Sequence, residues 1–232
     1  MVWGLSLAKS KIQNVGLGAA LPALPVSANT VDSVSEFIYL SSEISSDGHS
    51  TLEMMRRIAL ATLVMNQLGQ VWRQRNLRLA TKLRLYETCV LSVLLYCSES
   101  WTLLQADVDR LQAFHMRSRR RLACYVTNAE IKVHTRLEEM KRRIRRRKRA
   151  LFGHVAGMQV PAHDALRTAL EVCCGSIPDA RWKRPRGLPR TTWSEQLRMD
   201  LDDVGFWEAW YLVTKRGRWR EFATSLCCSR AR

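Results

Sequence analysis

Residues 117–149 hold fourteen Lys/Arg and three Glu, a net charge of +11 from one seventh of the chain. Guanidinium groups at this density do one kind of chemistry well: their planar fork of donors meets phosphate oxygens, contacting a nucleic-acid backbone and not its bases. On a helix spanning 135–152, Leu137, Met140, Ile144 and Leu151 gather on one stripe, and Arg142, Arg145, Arg146 and Arg149 fall opposite. Like charges three or four residues apart each cost about 0.2–0.5 kcal/mol, so such a face gains from a polyanion laid along it. Arg119, Arg120 and Arg121 stand nearby in the same run. A solvated face is the plainer reading, and eight basic residues among the nine at 141–149 also fit a nuclear import signal.

A second basic stretch, "RWKRPRGLPR" at 181–190, sets Lys183, Arg184, Arg186 and Arg190 around Trp182. Extended, it follows a phosphate backbone while the indole stacks on a base; a flexible basic linker is the equal alternative. Other chemistry is weaker. His154 and His163 precede Cys173 and Cys174, but the spacing matches no compact zinc module. His115 reads as a packed or partly exposed side chain at the edge of an apolar stripe. Asp107 and Asp109 are spaced like a carboxylate pair, yet they sit where acids favour a helix start. No Ser-His-Asp pattern and no GxxxxGK loop can be defended.

Positioning these residues falls to a mainly helical chain. Residues 14–30 are rich in Gly, Ala, Pro and Ser and read as loop or linker. Short β-prone runs from Val26 to Ile44 predict an antiparallel hairpin. Ser50 and Glu53 have capping-box spacing, opening a helix to about Arg75 with Met55, Ile58, Met65, Leu68 and Trp72 on one face. A second helix spans 79–96, with Leu83, Tyr86, Val90, Val93 and Leu94 on one side. A third starts near Asp107 with Leu111, Phe114 and Leu122. A fourth begins at Thr135, where Thr135 and Glu138 repeat the capping-box spacing. Residues 173–190 form an exposed linker. Thr192 and Glu195 open a helix carrying Trp193, Leu197, Leu201 and Val204, and Trp207, Trp210 and Trp219 lie in one or two short helices after it.

The totals agree with a folded binder of anions. Of 232 residues, 47% are hydrophobic and 25% charged, enough for a real core. A formal net charge of +16 repels itself in a compact state, so an anionic partner is expected, nucleic acid first. Seven cysteines, two pairs of them vicinal, fit free thiols in a reducing compartment. No apolar run nears the ~18 residues of a membrane span. The apolar part of "MVWGLSLAKSK" is short for a secretory signal. The expectation is an intracellular protein, nuclear or cytoplasmic, without a membrane partner.

Several motifs occur in a telling order: "FIYLSSEISSDG", "RRIALA", "VWRQRNLRLATKLRLYETCVLSVLLYCSESWTLL", "RLQAFHMRSRRRL", "VTNAE", "ALFGHVAGM" and "RWKRPRGLPRTTW". Together they resemble the back end of the reverse transcriptase of non-LTR (LINE-type) retrotransposons, over nearly the whole chain. The resemblance implies that 1–49 is a palm-end remnant with a primer-grip-like hairpin, where Tyr39, Leu40 and Ser41 would help hold the 3′ end of a growing strand. It implies a thumb-like bundle over 50–122, a basic post-thumb region over 123–172, a basic Pro/Gly linker over 173–190 and Trp-rich helices over 191–232. Ser41 and Cys97 stand where the family usually has Gly. Only "ACY" joins "RRRL" to "VTNAE", where the family has a longer segment, and Leu188 interrupts a usual Gly-Arg-Pro-Arg.

The family's chemistry needs palm carboxylates holding two Mg²⁺ ions. This sequence has no Tyr-x-Asp-Asp. The expectation is therefore a remnant without polymerase activity, catalytic residues, metal site or cofactor of its own, that retains sequence-independent affinity for RNA or DNA. Two alternatives stay open: a host-recruited protein-interaction module, with Trp207, Trp210 and Trp219 as anchors, or a product without function.

Overall fold

The computed structural model describes residues 10–14, 22–26, 29–123, 127–158, 161–173, 192–201 and 204–225. Two small antiparallel hairpins come first: β1 (Leu24–Val26) with β2 (Asn29–Val31), then β3 (Glu36–Tyr39) with β4 (Ser42–Ser45). The rest is helical, as expected for a mainly α chain with a hairpin at its front.

In the β3–β4 hairpin Tyr39 pairs with Ser42, leaving a two-residue turn of Leu40 and Ser41. Both have positive φ, 47° and 62°. Such turns match the twist of the strands they join, but they favour Asn and Gly at both positions. Small hairpins are marginal alone. This one is held from below: Arg57 donates to the Ser41 carbonyl, Arg56 reaches the same oxygen at 3.1 Å, and the Tyr96 hydroxyl donates to the Leu40 carbonyl at 3.0 Å.

α1 (Thr51–Gln67) and α2 (Gly69–Arg73) cover the segment expected as one helix. The capping box at its start does not form. Ser50 Oγ instead accepts from the Thr102 amide at 3.0 Å, and Glu53 turns to the Glu43 amide at 3.0 Å and to Arg57 at 2.6 Å. Tertiary partners have taken both side chains. The buried stripe is correspondingly shifted, to Met54, Ala61, Met65 and Trp72, while Met55 is exposed.

α3 (Leu79–Leu85) runs through a π-helical stretch (Tyr86–Leu91) into α4 (Ser92–Leu94). The wider turn lets Tyr86 and Leu91, five residues apart, both enter the core. α5 (Gln105–Ala123) buries Leu111, Phe114 and Leu122 as its period predicts.

The fourth helix differs. Thr127 and Glu130 form a complete capping box that opens α6 (Asn128–Thr135). Arg136 then ends it in the left-handed region at φ 47°. Thr135 closes a helix instead of opening one, because its hydroxyl is bonded to the Ile131 carbonyl and to Arg119. α7 (Met140–Ala156) starts five residues later than expected. It is followed by α8 (Pro161–Cys173), α9 (Trp193–Leu201), α10 (Phe206–Thr214) and α11 (Arg216–Ser225). At α9 the expected cap is present, with the Glu195 amide donating to Thr192 Oγ1 at 3.2 Å.

Two apolar cores result, and α7 serves both. Its first half adds Met140 and Ile144 to a core built from α1–α5 around Met54, Tyr86, Leu94, Trp101 and Leu111. Its second half adds Phe152 and Ala156 to a core of Leu170, Leu197, Leu201, Phe206, Ala209, Val213 and Trp219. Among the described residues of 123–172, Leu170 also joins the second core. At the second core, Trp219 lies against Gly153, where any Cβ would sit 1.9 Å from the indole nitrogen. Among the described residues no helix is long and apolar enough to cross a membrane.

Candidate nucleic-acid interface

α7 carries the densest charge, yet most of it is used inside the molecule. Arg145 pairs with Asp200 of α9 at 2.9 Å. Arg149, 2% exposed, donates to the Asp200 carbonyl. Lys148 donates to Gln196 Oε1 at 2.5 Å, and burial pushes its pKa down to about 8 against the pull of Asp200. Arg147 donates to the Leu95 carbonyl and lies 3.7 Å from Glu99. Arg143 meets Glu87 at 2.5 Å, and Arg146 meets Glu138 at 2.9 Å.

The wheel reading therefore needs correction. A helix between two cores has no single wet face; α9 covers the side opposite the first core. Of the four arginines set on that face, Arg149 is sealed and Arg145 and Arg146 are ion-paired. Arg142 alone of the four is exposed and forms no ion pair among the described residues, with Lys141 beside it equally exposed. Internal carboxylates and carbonyls relieve much of the repulsion that the sequence alone assigns to an external anion.

The triplet on α5 divides in the same way. Arg119 is 1% exposed; its Nε donates to Thr135 Oγ1 at 2.7 Å and one Nη to the Ile131 carbonyl at 3.4 Å. Burial lowers its pKa. It ties α6 to α5 and cannot reach a phosphate. Arg120 is exposed and donates to Asn128 at 2.8 Å. Arg121 is exposed and donates to Asn66 at 2.9 Å.

Arg121 exposes a grouping that the sequence hid. Its guanidinium passes 3.3 Å from where a Cβ on Gly69 would stand. Arg73 lies four residues on from Gly69, hence on the same side of α2, and Arg117 lies four residues before Arg121 on α5. Arg73 and Arg117 are both exposed, as are Arg75 and Arg78 in the following connection. None of these five arginines forms an ion pair among the described residues. Only the packing of α5 on the α1–α2 junction joins the groups; in sequence Arg73 and Arg117 are 44 residues apart.

The primer-grip-like residues form the exposed tip of the second hairpin: Tyr39 is 57% exposed, Leu40 70%, and Ser41 is exposed too. Beneath them Arg57 is fixed by Glu53 and lies 4.4 Å over the Tyr96 ring. Ser41 and Cys97, the two positions where a glycine is usual in the resembled family, both have positive φ, 62° and 56°. Burial, with the charge of Glu99, raises the Cys97 thiol pKa.

Lys183, Arg184, Arg186 and Arg190, with Trp182 and Cys174, lie outside the described residues. Among those described, no three His, Cys, Asp or Glu side chains gather as a metal-binding group. His115 is fully buried, its Nδ1 2.9 Å from the Tyr86 hydroxyl. Asp107 accepts from Thr51 Oγ1 at 2.9 Å and from the Leu104 amide at 3.2 Å, just before its helix, so it acts at the helix start. Of the tail tryptophans, Trp219 is a core residue at 8% exposure and Trp207 is 48% exposed. The first is thereby removed as a docking anchor.

No family model matches the chain, and no solved structure matches it. It is similar to an uncharacterized transposon-derived protein of Caenorhabditis elegans, 25% identical over 186 residues. The match takes in 76% of this chain and 64% of the relative, so the chain spans just under two thirds of that protein's length. The likeness points to a transposon-related origin.

Proposed function

We propose that the chain is a remnant of a LINE-type reverse transcriptase that grips nucleic-acid backbones without regard to sequence and joins no nucleotides by itself. The observation that carries this reading is the group of exposed arginines, Arg73, Arg117 and Arg121, with Arg75 and Arg78 exposed in the connection after α2 and Arg120 exposed next to Arg121 on α5. Unlike Arg143, Arg145, Arg146 and Arg147 of α7, these make no ion pair with an acid among the described residues. Such a group is costly in a chain already at +16, and phosphate oxygens relieve it. Lys141 and Arg142 offer a smaller second contact. The ordered motifs and the transposon-derived relative support the origin.

Binding of a short duplex across a salt series tests the grip. Each phosphate contact contributes about −0.9 to the slope of log K against log salt, so four contacts give about −3.6. Binding that ignores salt contradicts the reading. Primer extension with Mg²⁺ by the purified chain tests the second half; the expected product is none, and an extended primer contradicts it.

The exposed hairpin tip favours a second reading, a protein-interaction module. Ile38 is 59% exposed, beside Tyr39 and Leu40. A partner captured after nuclease treatment, and lost on Leu40→Asp, would support that reading over the first.

A further inference from the structure

α10 presents a second kind of surface. Phe206, Ala209 and Val213 point into the second core, while Trp207 is 48% and Tyr211 58% exposed. The two exposed rings are four residues apart, on one side of the helix. Trp207 is braced edge-on by Phe206, centroids 5.0 Å apart at 65°. Lys215 holds its ammonium 4.8 Å from the centre of the Tyr211 ring. A hydrogen bond from Lys215 and its charge lower the pKa of the Tyr211 phenol, and the charge of Arg218 adds to the effect. Glu208, the acid on this helix, stands about 100° round from Trp207 and about 60° from Tyr211, and the two cations near Tyr211 outnumber it.

We infer that Trp207 and Tyr211 form a stacking platform for unpaired nucleotides, with Lys215 and Arg218 meeting the phosphates between them. Exposed π faces stack on any base, and flanking cations follow the strand. Neighbours on a helix face are about 5–6 Å apart, against ~3.4 Å between stacked bases, so the pair fits adjacent nucleotides of an opened strand. A duplex offers no free base face and gains nothing here. The cations argue for this occupant over an apolar protein surface. The inference rests on the nucleic-acid reading but names a different surface and a different form of the ligand.

The test compares the full chain with Trp207→Ala/Tyr211→Ala, titrating a short oligothymidylate and a duplex of equal length at one low salt concentration. Stacking on an aromatic ring is worth roughly tenfold or more in affinity per base. The expected result is a loss of roughly a hundredfold for the single strand with duplex affinity unchanged. Trp207→Phe/Tyr211→Phe should retain most single-strand affinity, and Lys215→Gln/Arg218→Gln should flatten its salt slope by about 1.4. Single-strand binding unaltered by the double alanine variant, or an equal loss for both ligands, overturns the platform. Duplex binding by the wild type would leave the wider reading standing in either case; binding of neither ligand by the wild type overturns both.

Discussion

Ser41 and Cys97 hold a backbone conformation that glycine adopts freely and other L-residues adopt at about 1–2 kcal/mol. Glycine also loses more entropy on folding, which offsets part of the gain. Ser41→Gly and Cys97→Gly should each stabilise the fold by about 0.5–1 kcal/mol, read as a raised midpoint in urea. The first should also tighten the hairpin tip on Arg57. His115 supplies a pH dependence. Its imidazole takes a proton near pH 6.5 when unfolded but only near pH 3 in the fold, chiefly because it is buried, with Arg119 and Arg143 adding repulsion. Between those values the unfolded chain binds more protons, so stability is full above pH 6.5 and falls as pH drops, by up to about 1.4 kcal/mol per unit. Urea midpoints at pH 7 and pH 5, where carboxylates are largely silent, should show the loss in wild type and a smaller one in His115→Gln.

Helices decide which charges remain available, and here sequence and structure part company. The apolar periods of α5 and α9 were legible, as was the cap at Thr192, because those side chains meet only their own helix or a single core. The caps at Ser50 and Thr135 were misleading because distant partners, Thr102 and Arg119, claim the same hydroxyls. Thr127 and Glu130 carried the true signal of α6 in the same spacing. Arg149 was misread because a wheel assumes one buried side, whereas α7 is enclosed by two cores. The Arg73–Arg117–Arg121 group was invisible, since nothing local links α2 to the end of α5. Gly153 is another element-scale device. It lets Trp219 lie on α7, and Gly153→Ala should destabilise the second core by about 1–3 kcal/mol despite alanine's better helix propensity. Loss of native tryptophan fluorescence at a lower urea concentration checks it; an unchanged midpoint contradicts the packing.

At the scale of the molecule, a net +16 is split into two populations. Arg145, Arg147, Lys148 and Arg149 of α7 fasten α9 and the α4–α5 connection, whereas the arginines around the α1–α2 junction, with Lys141 and Arg142, face solvent without an ion pair among the described residues. The first population belongs to stability and the second to binding. Duplex binding from about 50 to 200 mM salt by wild type and by Arg73→Ala/Arg117→Ala/Arg121→Ala separates the two populations. The variant should fold as the wild type does, with a log K–log salt slope shallower by about 2.7. An unchanged slope in that folded variant would contradict this division.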